Sequence, residues 1–150
     1  MKKTIWISLC LTLGLFADLK IGQHFPKQTF TDQFGNTMQV GKHDRWVCVT
    51  FEKNVAVALT KEVKKVPKGY LEKHRVRFIS DISAMPSFIT AMFALPMMKK
   101  YPFSVWLIRD ESGKVYDRKP GMVTLYRLKR GKVASKRFIE PQALLHIVDK

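Results

Sequence analysis

Cysteine is nearly missing from this 150-residue chain: Cys10 and Cys48 are the only two. That scarcity excludes a disulfide-stapled scaffold and a cysteine-rich zinc site, both of which need several thiols at short spacing. Acidic residues are also few, 12 against 27 lysines and arginines, giving a formal net charge of +15. The eight glycines never gather into a phosphate-cradling loop or a nucleophile elbow. The histidines His24, His43, His74 and His146 have no partners at metal-ligand spacing. No spacing points to a Ser-His-Asp arrangement. No apolar run after residue 17 is long enough for a membrane helix, which takes about 20 residues.

One apolar run stands at the start. Lys2 and Lys3 precede an uncharged stretch over 4–16, and Leu15-Phe16-Ala17 ends on a small residue. A basic flank, a short apolar run and a small residue at its end make a secretory signal peptide over 1–17. An uncleaved anchor is the alternative. Cys10 lies inside the run after Leu9, an unsuitable neighbour for lipid attachment. Cleavage near Ala17 leaves residues 18–150 as one domain in the periplasm. Lys2 and Lys3 are the only charges removed, so the mature net charge is +13. A charge of that size attracts anionic partners. In the envelope these are an anionic lipid surface or an envelope protein, and no nucleic acid partner is expected.

Cys48 is then the lone thiol, which excludes an intramolecular disulfide. Residues 45–51 read as a strand buried on both faces, so Cys48 is expected to be a small core hydrophobe. Strands over 28–31 and 37–40, joined by a turn at 32–36, precede it. Asn54 is placed to cap a helix whose Ala56, Leu59, Val63 and Val66 recur at helical spacing. Further strands are expected over 75–80 and 103–108, with a helix between them from Pro86, disturbed at Pro96. The chain closes with strands over 122–128 and 132–138 around Lys129-Arg130-Gly131, then a helix after Pro141. Strands separated by helices imply parallel pairing, and the last hairpin adds antiparallel edges.

This order and its punctuation resemble the thioredoxin-like superfamily, in its peroxiredoxin and thiol-oxidoreductase branch. The resemblance rests on Ile-Gly-Gln-His-Phe-Pro at 21–26, the hairpin at 32–40 and the strand-turn-strand at 124–133. Residues 99–104 and 110–113 look like small periplasmic proteins of the YtfJ type. The resemblance implies an α/β fold: a thioredoxin-like αβα sandwich with a mixed central sheet and helices on both faces. An N-terminal β-hairpin opens it, and a C-terminal β-hairpin plus helix closes it. In the superfamily the reactive cysteines follow the central strand, at the start of the first helix. Here that stretch, 52–60, has no cysteine. Only a thiolate attacks a disulfide or peroxide, so dithiol exchange is not expected. The proline that faces the thiols is replaced by Met122-Val123, or corresponds to Pro102 in another register.

Two surfaces remain as candidates. Met85, Met92, Met97 and Met98 crowd one segment with Phe88 and Phe93. Core packing is the first reading of that segment, a pliable face for a partner or lipid is the second, and Cu(I) binding by thioethers is the third. Between Lys99 and Ile139 there are 12 lysines or arginines against three acids. Period-2 alternation would set Lys132 and Lys136, with Arg127 or Arg137, on the outer face of the last hairpin. The hairpin residues Lys129, Arg130, Lys132 and Lys136 are an anion-binding face, or charges that guard a sheet edge. The expected function is a redox-inactive binding or adaptor module for an envelope component. No catalytic residue, metal or cofactor is expected. The alternatives are a single-cysteine redox protein using Cys48, or a Met-rich copper-binding protein. The binding residues expected to matter are the four hairpin cations with Met92, Met97 and Met98.

Overall fold

The computed structural model describes residues 18–150; the signal-peptide reading of 1–17 and Cys10 lie outside them. Seven strands form one sheet: β1 (Phe30–Asp32), β2 (Thr37–Met38), β3 (Trp46–Thr50), β4 (Val76–Asp81), β5 (Trp106–Ile108), β6 (Val123–Lys129) and β7 (Lys132–Ile139). Their spatial order is β2-β1-β5-β4-β3-β6-β7. The middle strands β5, β4 and β3 run parallel, and antiparallel partners flank them on both sides. This is the mixed sheet that the alternation of strand and helix implies.

All five residues of β3 are buried, as a strand covered on both faces requires. Trp46 and Cys48 join one hydrophobic cluster, whereas Val47 and Val49 join the other, so the two clusters lie on opposite faces. The first cluster is covered by the helices α1 (Lys53–Val63), α2 (Tyr70–Lys73), α4 (Leu95–Met98) and α5 (Leu144–Val148). The second is covered mainly by extended chain, with Leu19, Phe25 and Val40 joined by Tyr116 and by Val115 at the end of a 3-10 helix over Glu111–Val115. Phe25, Tyr116 and Tyr126 pack ring against ring at 5.5–6.2 Å.

Local punctuation departs from the sequence reading in several places: β1 and β2 cover 30–32 and 37–38 rather than 28–31 and 37–40, α2 was not expected, and three further differences bear on the site. Asn54 is not the cap of α1: Glu52 holds that position, makes no side-chain cap bond, and Asn54 is the second helical residue. Only Phe51 separates the end of β3 from the Glu52 cap, so the helix starts before Asn54 can act. The buried stripe is consequently Val55, Leu59 and Val63, and Val57 faces out. The helix after Pro86 is interrupted upstream of Pro96 rather than at it. It runs as α3 (Ser87–Ile89), a π-helical turn (Thr90–Ala94) and α4. Proline at 96 offers no N–H to the carbonyl four residues back, and the Leu95 amide instead reaches the Thr90 carbonyl, one residue further than the α ladder. The strand predicted from 103 begins at Trp106.

Two buried polar residues in the β1–β2 turn explain that last shift. The Gln33 amide donates to the carbonyls of Met98 (3.2 Å) and Phe103 (2.7 Å), and its oxygen accepts from the Val105 amide at 2.8 Å. The backbone of 103–105 therefore bonds a side chain before it bonds a strand. Asp32 accepts from the amides of Phe34 and Asn36, the Asn36 side chain and the Ser104 hydroxyl. Burial pushes its carboxyl up, yet these donors together hold it below the ordinary carboxylate value. At the other edge, Arg130 (φ 53°) and Gly131 (φ 79°) form the two-residue turn between β6 and β7, the left-handed pair that a tight hairpin demands.

Candidate functional site

The carboxyl ends of β3 and β4 open into a cleft of about 480 Å³ between α1 and the α3–α4 segment. In parallel sheets this end is where ligands bind, because the strands stop and the helices diverge. Phe51 and Phe78 form its floor with Val105. Ala56 and Val57 of α1 form one wall, and Met85, Phe93 and Met97 form the other. Three of these wall residues are exposed to solvent: Val57 at 37%, Phe93 at 62% and Met97 at 45%. Phe88 and Met92 stand exposed on the same segment, at 63% and 66%. The expectation of core packing therefore holds only for one side of this helix. Ala94 and Met98 are buried, while four large apolar side chains face outward. Clustered exposed apolar side chains of this size mark a binding surface more often than a solvated one.

The polar groups at the cleft rim are tied into the fold. Glu52 accepts from the Gly121 amide at 2.6 Å, joining the start of α1 to the chain entering β6. Arg118 lies over the ring of Phe51, 4.1 Å from its centre. Asp81 accepts from the amide and hydroxyl of Ser83 and sits 3.6 Å from Arg118. Gly113 packs directly on Asp81; a Cβ there would lie 2.1 Å from its carboxylate oxygen. The Thr50 hydroxyl donates to Ser80 at 3.0 Å. Neither histidine nor cysteine lines the cleft, and its two carboxylates, Glu52 and Asp81, are bonded to Gly121 and Ser83.

Cys48 lies inside the sheet, fully buried, its thiol donating to the Arg77 carbonyl at 3.4 Å. Burial pushes the thiol up to about 12. At neutral pH it is a protonated core side chain, unable to supply a thiolate to the cleft. Among the described residues no peptide bond is cis, and Met122 is half-buried at the position where the resemblance expects proline. Pro102 stands beside a small indentation next to α2 rather than at the cleft.

The four hairpin cations do not form one face. Lys136 pairs with Asp117 at 2.8 Å and shares its sheet face with Tyr126. Lys129 and Lys132 stand opposite each other beside the turn, and Lys129 and Arg130 open onto a separate basic groove. Met92 and Met97 are exposed along the segment that walls the cleft, whereas Met98 is buried beneath it. The histidines stay apart: His24, His43 and His146 are exposed, and His74 stacks on Tyr70 at 4.1 Å. Among the described residues no group of three or more histidine, cysteine, aspartate or glutamate side chains could hold a metal ion. No helix among them is long and apolar enough to cross a membrane. Val57 was missed by the sequence reading, and Phe93 was placed in the Met-rich segment but not among the binding residues. Helical spacing alone could have paired Phe93 with Met97, but it does not say which side faces the sheet.

No protein-family model matches the chain, and neither does any curated protein. Solved structures do. A candidate thiol:disulfide interchange protein DsbE from Chlorobium tepidum matches with 13% identity and a TM-score of 0.59, over 88% of this chain and 96% of that one. A thio-disulfide isomerase from Thermus thermophilus matches with 20% identity and a TM-score of 0.54, over 87% and 95%. A peroxiredoxin-like protein from Aquifex aeolicus matches with 14% identity and a TM-score of 0.53, over 88% and 85%. The fold is thioredoxin-like.

Proposed function

We propose that this thioredoxin-like chain is an exported, redox-inactive binding module that holds an extended apolar segment of another envelope protein in the cleft. The observation that carries the reading is the cleft itself. It lies where the superfamily keeps its thiols, it lacks cysteine, and exposed Val57, Phe93 and Met97 wall it. Proteins described as disulfide isomerases and interchange proteins share the fold, and their names imply that they act on polypeptides. Unbranched methionines and a rotatable phenylalanine can settle around varied side chains, which suits a peptide better than a rigid small molecule. The basic flank and short apolar run of 1–17 support export to the periplasm.

The test pairs binding with chemistry. Fluorescent peptides with apolar extended sequences should bind the wild-type chain, and scrambled charged peptides should not. Phe93→Asp should weaken binding at least about tenfold, equivalent to roughly 1.4 kcal/mol. Folding should hold, because the side chain is mostly exposed. Neither insulin reduction nor peroxide consumption should exceed the buffer rate. Equal binding by wild type and Phe93→Asp would remove the cleft from the account, and turnover would remove its redox-inactive half.

A further inference from the structure

At the opposite end of the sheet a second groove, of about 460 Å³, takes six of its ten lining residues from lysine and arginine. Lys42, Arg45, Arg75, Arg127, Lys129 and Arg130 come from three separate parts of the chain, and His43 joins them. Asp44 is the only acid in the lining, and it is already committed. It bonds Arg77 at 2.7 Å and accepts from the Gly41 amide at 2.8 Å. None of the six lysines and arginines has a carboxylate partner among the described residues. Five described cations elsewhere do have a carboxylate beside them, as Lys136 has Asp117 and Lys65 has Glu62; the groove stands out in bringing six without one together. Gathering six like charges without counter-ions costs folding free energy through mutual repulsion, so the arrangement calls for a ligand.

The backbone holds this cluster in place. The Arg45 amide donates to the Arg75 carbonyl at 2.9 Å, and the Leu128 amide donates to the Arg45 carbonyl at 2.8 Å. One residue thus locks all three cationic segments together. Arg45 and Arg127 also share the ring of Trp46, each guanidinium 5.8 Å from its centre. Only two non-glycine residues among the described ones have left-handed backbone, Arg75 (φ 56°) and Arg130 (φ 53°), and both line this groove. The hairpin turn holds Arg130 there, and the end of α2 holds Arg75, whose amide donates to the Glu72 carbonyl at 3.0 Å, so both side chains leave the backbone at fixed points on the groove.

We infer that this groove binds an anion bearing more than one phosphate group. Guanidinium forks pair bidentately with phosphate oxygens, and the volume falls in the range of about 300–1,000 Å³ typical of ligand sites. A single phosphate would leave most of the cations unmatched. The inference does not rest on what occupies the apolar cleft, since the two sites lie at opposite ends of β3 and β4.

The test titrates the full chain with inorganic tripolyphosphate by calorimetry at low and high salt. Sedimentation with phosphatidylcholine vesicles, with and without cardiolipin, whose headgroup carries two phosphates, runs beside it. The key variant is the double change R75G/R130G, which removes two guanidiniums while glycine accepts the same backbone without strain. The control K61A/K68A removes equal charge from exposed positions outside the groove. Saturable tripolyphosphate binding should weaken at least tenfold in R75G/R130G, stay within twofold in K61A/K68A and fall with salt. The melting temperature of R75G/R130G should hold or rise. Binding to anionic vesicles that tripolyphosphate displaces assigns a lipid headgroup. Tripolyphosphate binding without vesicle binding assigns a free phosphorylated ligand. Absence of tripolyphosphate binding at low salt, or equal weakening by both variants, overturns the inference in favour of diffuse surface charge.

Discussion

Replacing Cys48 by serine changes one atom in the middle of the sheet, and the structure sets what that should cost. The thiol is fully buried and reaches the Arg77 carbonyl only at 3.4 Å. A hydroxyl sits on a shorter bond, so it falls further from that carbonyl than the sulfur does. Burying a hydroxyl with a poor partner costs about 1–3 kcal/mol. For a domain of this size each kcal/mol moves the melting temperature by about 3–5 °C, so Cys48→Ser should melt roughly 3–15 °C lower. The cost should also depend on pH. Burial raises the folded thiol to about 12 from its ordinary value of 9.0. An acid whose folded pKa is raised leaves stability untouched below the unfolded value and withdraws it as pH rises above that value. Wild type therefore loses stability through this group above about pH 9, and the serine variant does not. The gap between them should narrow by about 1.4 kcal/mol at pH 10. Urea denaturation of both proteins at pH 7 and pH 10 measures the cost and its narrowing. Equal stability at pH 7, or rapid native alkylation of Cys48 in a peptide map, would refute a buried structural thiol.

Other positions carry separate expectations. Gln33→Ala should destabilise by roughly 2–4 kcal/mol, since it strands the carbonyls of Met98 and Phe103 and the Val105 amide; hydrogen exchange should show 98–105 losing protection first. Gly113→Ala should cost about 1–3 kcal/mol, because the new methyl displaces Asp81 from its bonds to Ser83; thermal melting checks it, and an unchanged melting temperature would contradict the packing described. Asp32→Asn should destabilise by roughly 1–3 kcal/mol at neutral pH: with its oxygen kept on the amides of Phe34 and Asn36, its new NH2 group opposes the Asn36 side-chain amide and loses the acceptor of the Ser104 hydroxyl. The folded Asp32 carboxyl lies below 3.8. Its stability is therefore complete above that value and lost as pH falls through the lower folded one, so denaturation curves should converge in acid below about pH 4.

The sheet was legible because its signals are local. A short run rich in valine and aromatic residues reads as a strand covered on both sides, which placed β3 and the burial of Cys48. Arg130-Gly131 between two alternating runs placed the last hairpin. Asn54 misled because capping preference is a weak prior, and one intervening residue after β3 set the helix start first. The Met-rich segment hid its role for another reason. Periodicity shows that Phe93 and Met97 share a side, but not whether that side meets the sheet or water. The basic groove was unreadable in principle. Arg45, Arg75 and Arg127 meet only because β3 pairs with both β4 and β6. Lys136, by contrast, looked equivalent to its neighbours in sequence and is held by Asp117.

The claim at the centre is that the cleft receives an extended apolar segment of a partner protein. A photoreactive amino acid placed at Phe93 in the full chain, expressed in its own envelope, tests it most directly. The same group at Lys61, exposed on α1 outside the cleft lining, is the control. Peptide mapping of the adducts should return one recurrent apolar stretch from an envelope protein at position 93 and not at position 61. Met97→Asp should abolish that adduct while melting at the wild-type temperature. Adducts of the same pattern from both positions, or capture that survives Met97→Asp, would contradict the cleft as the binding site.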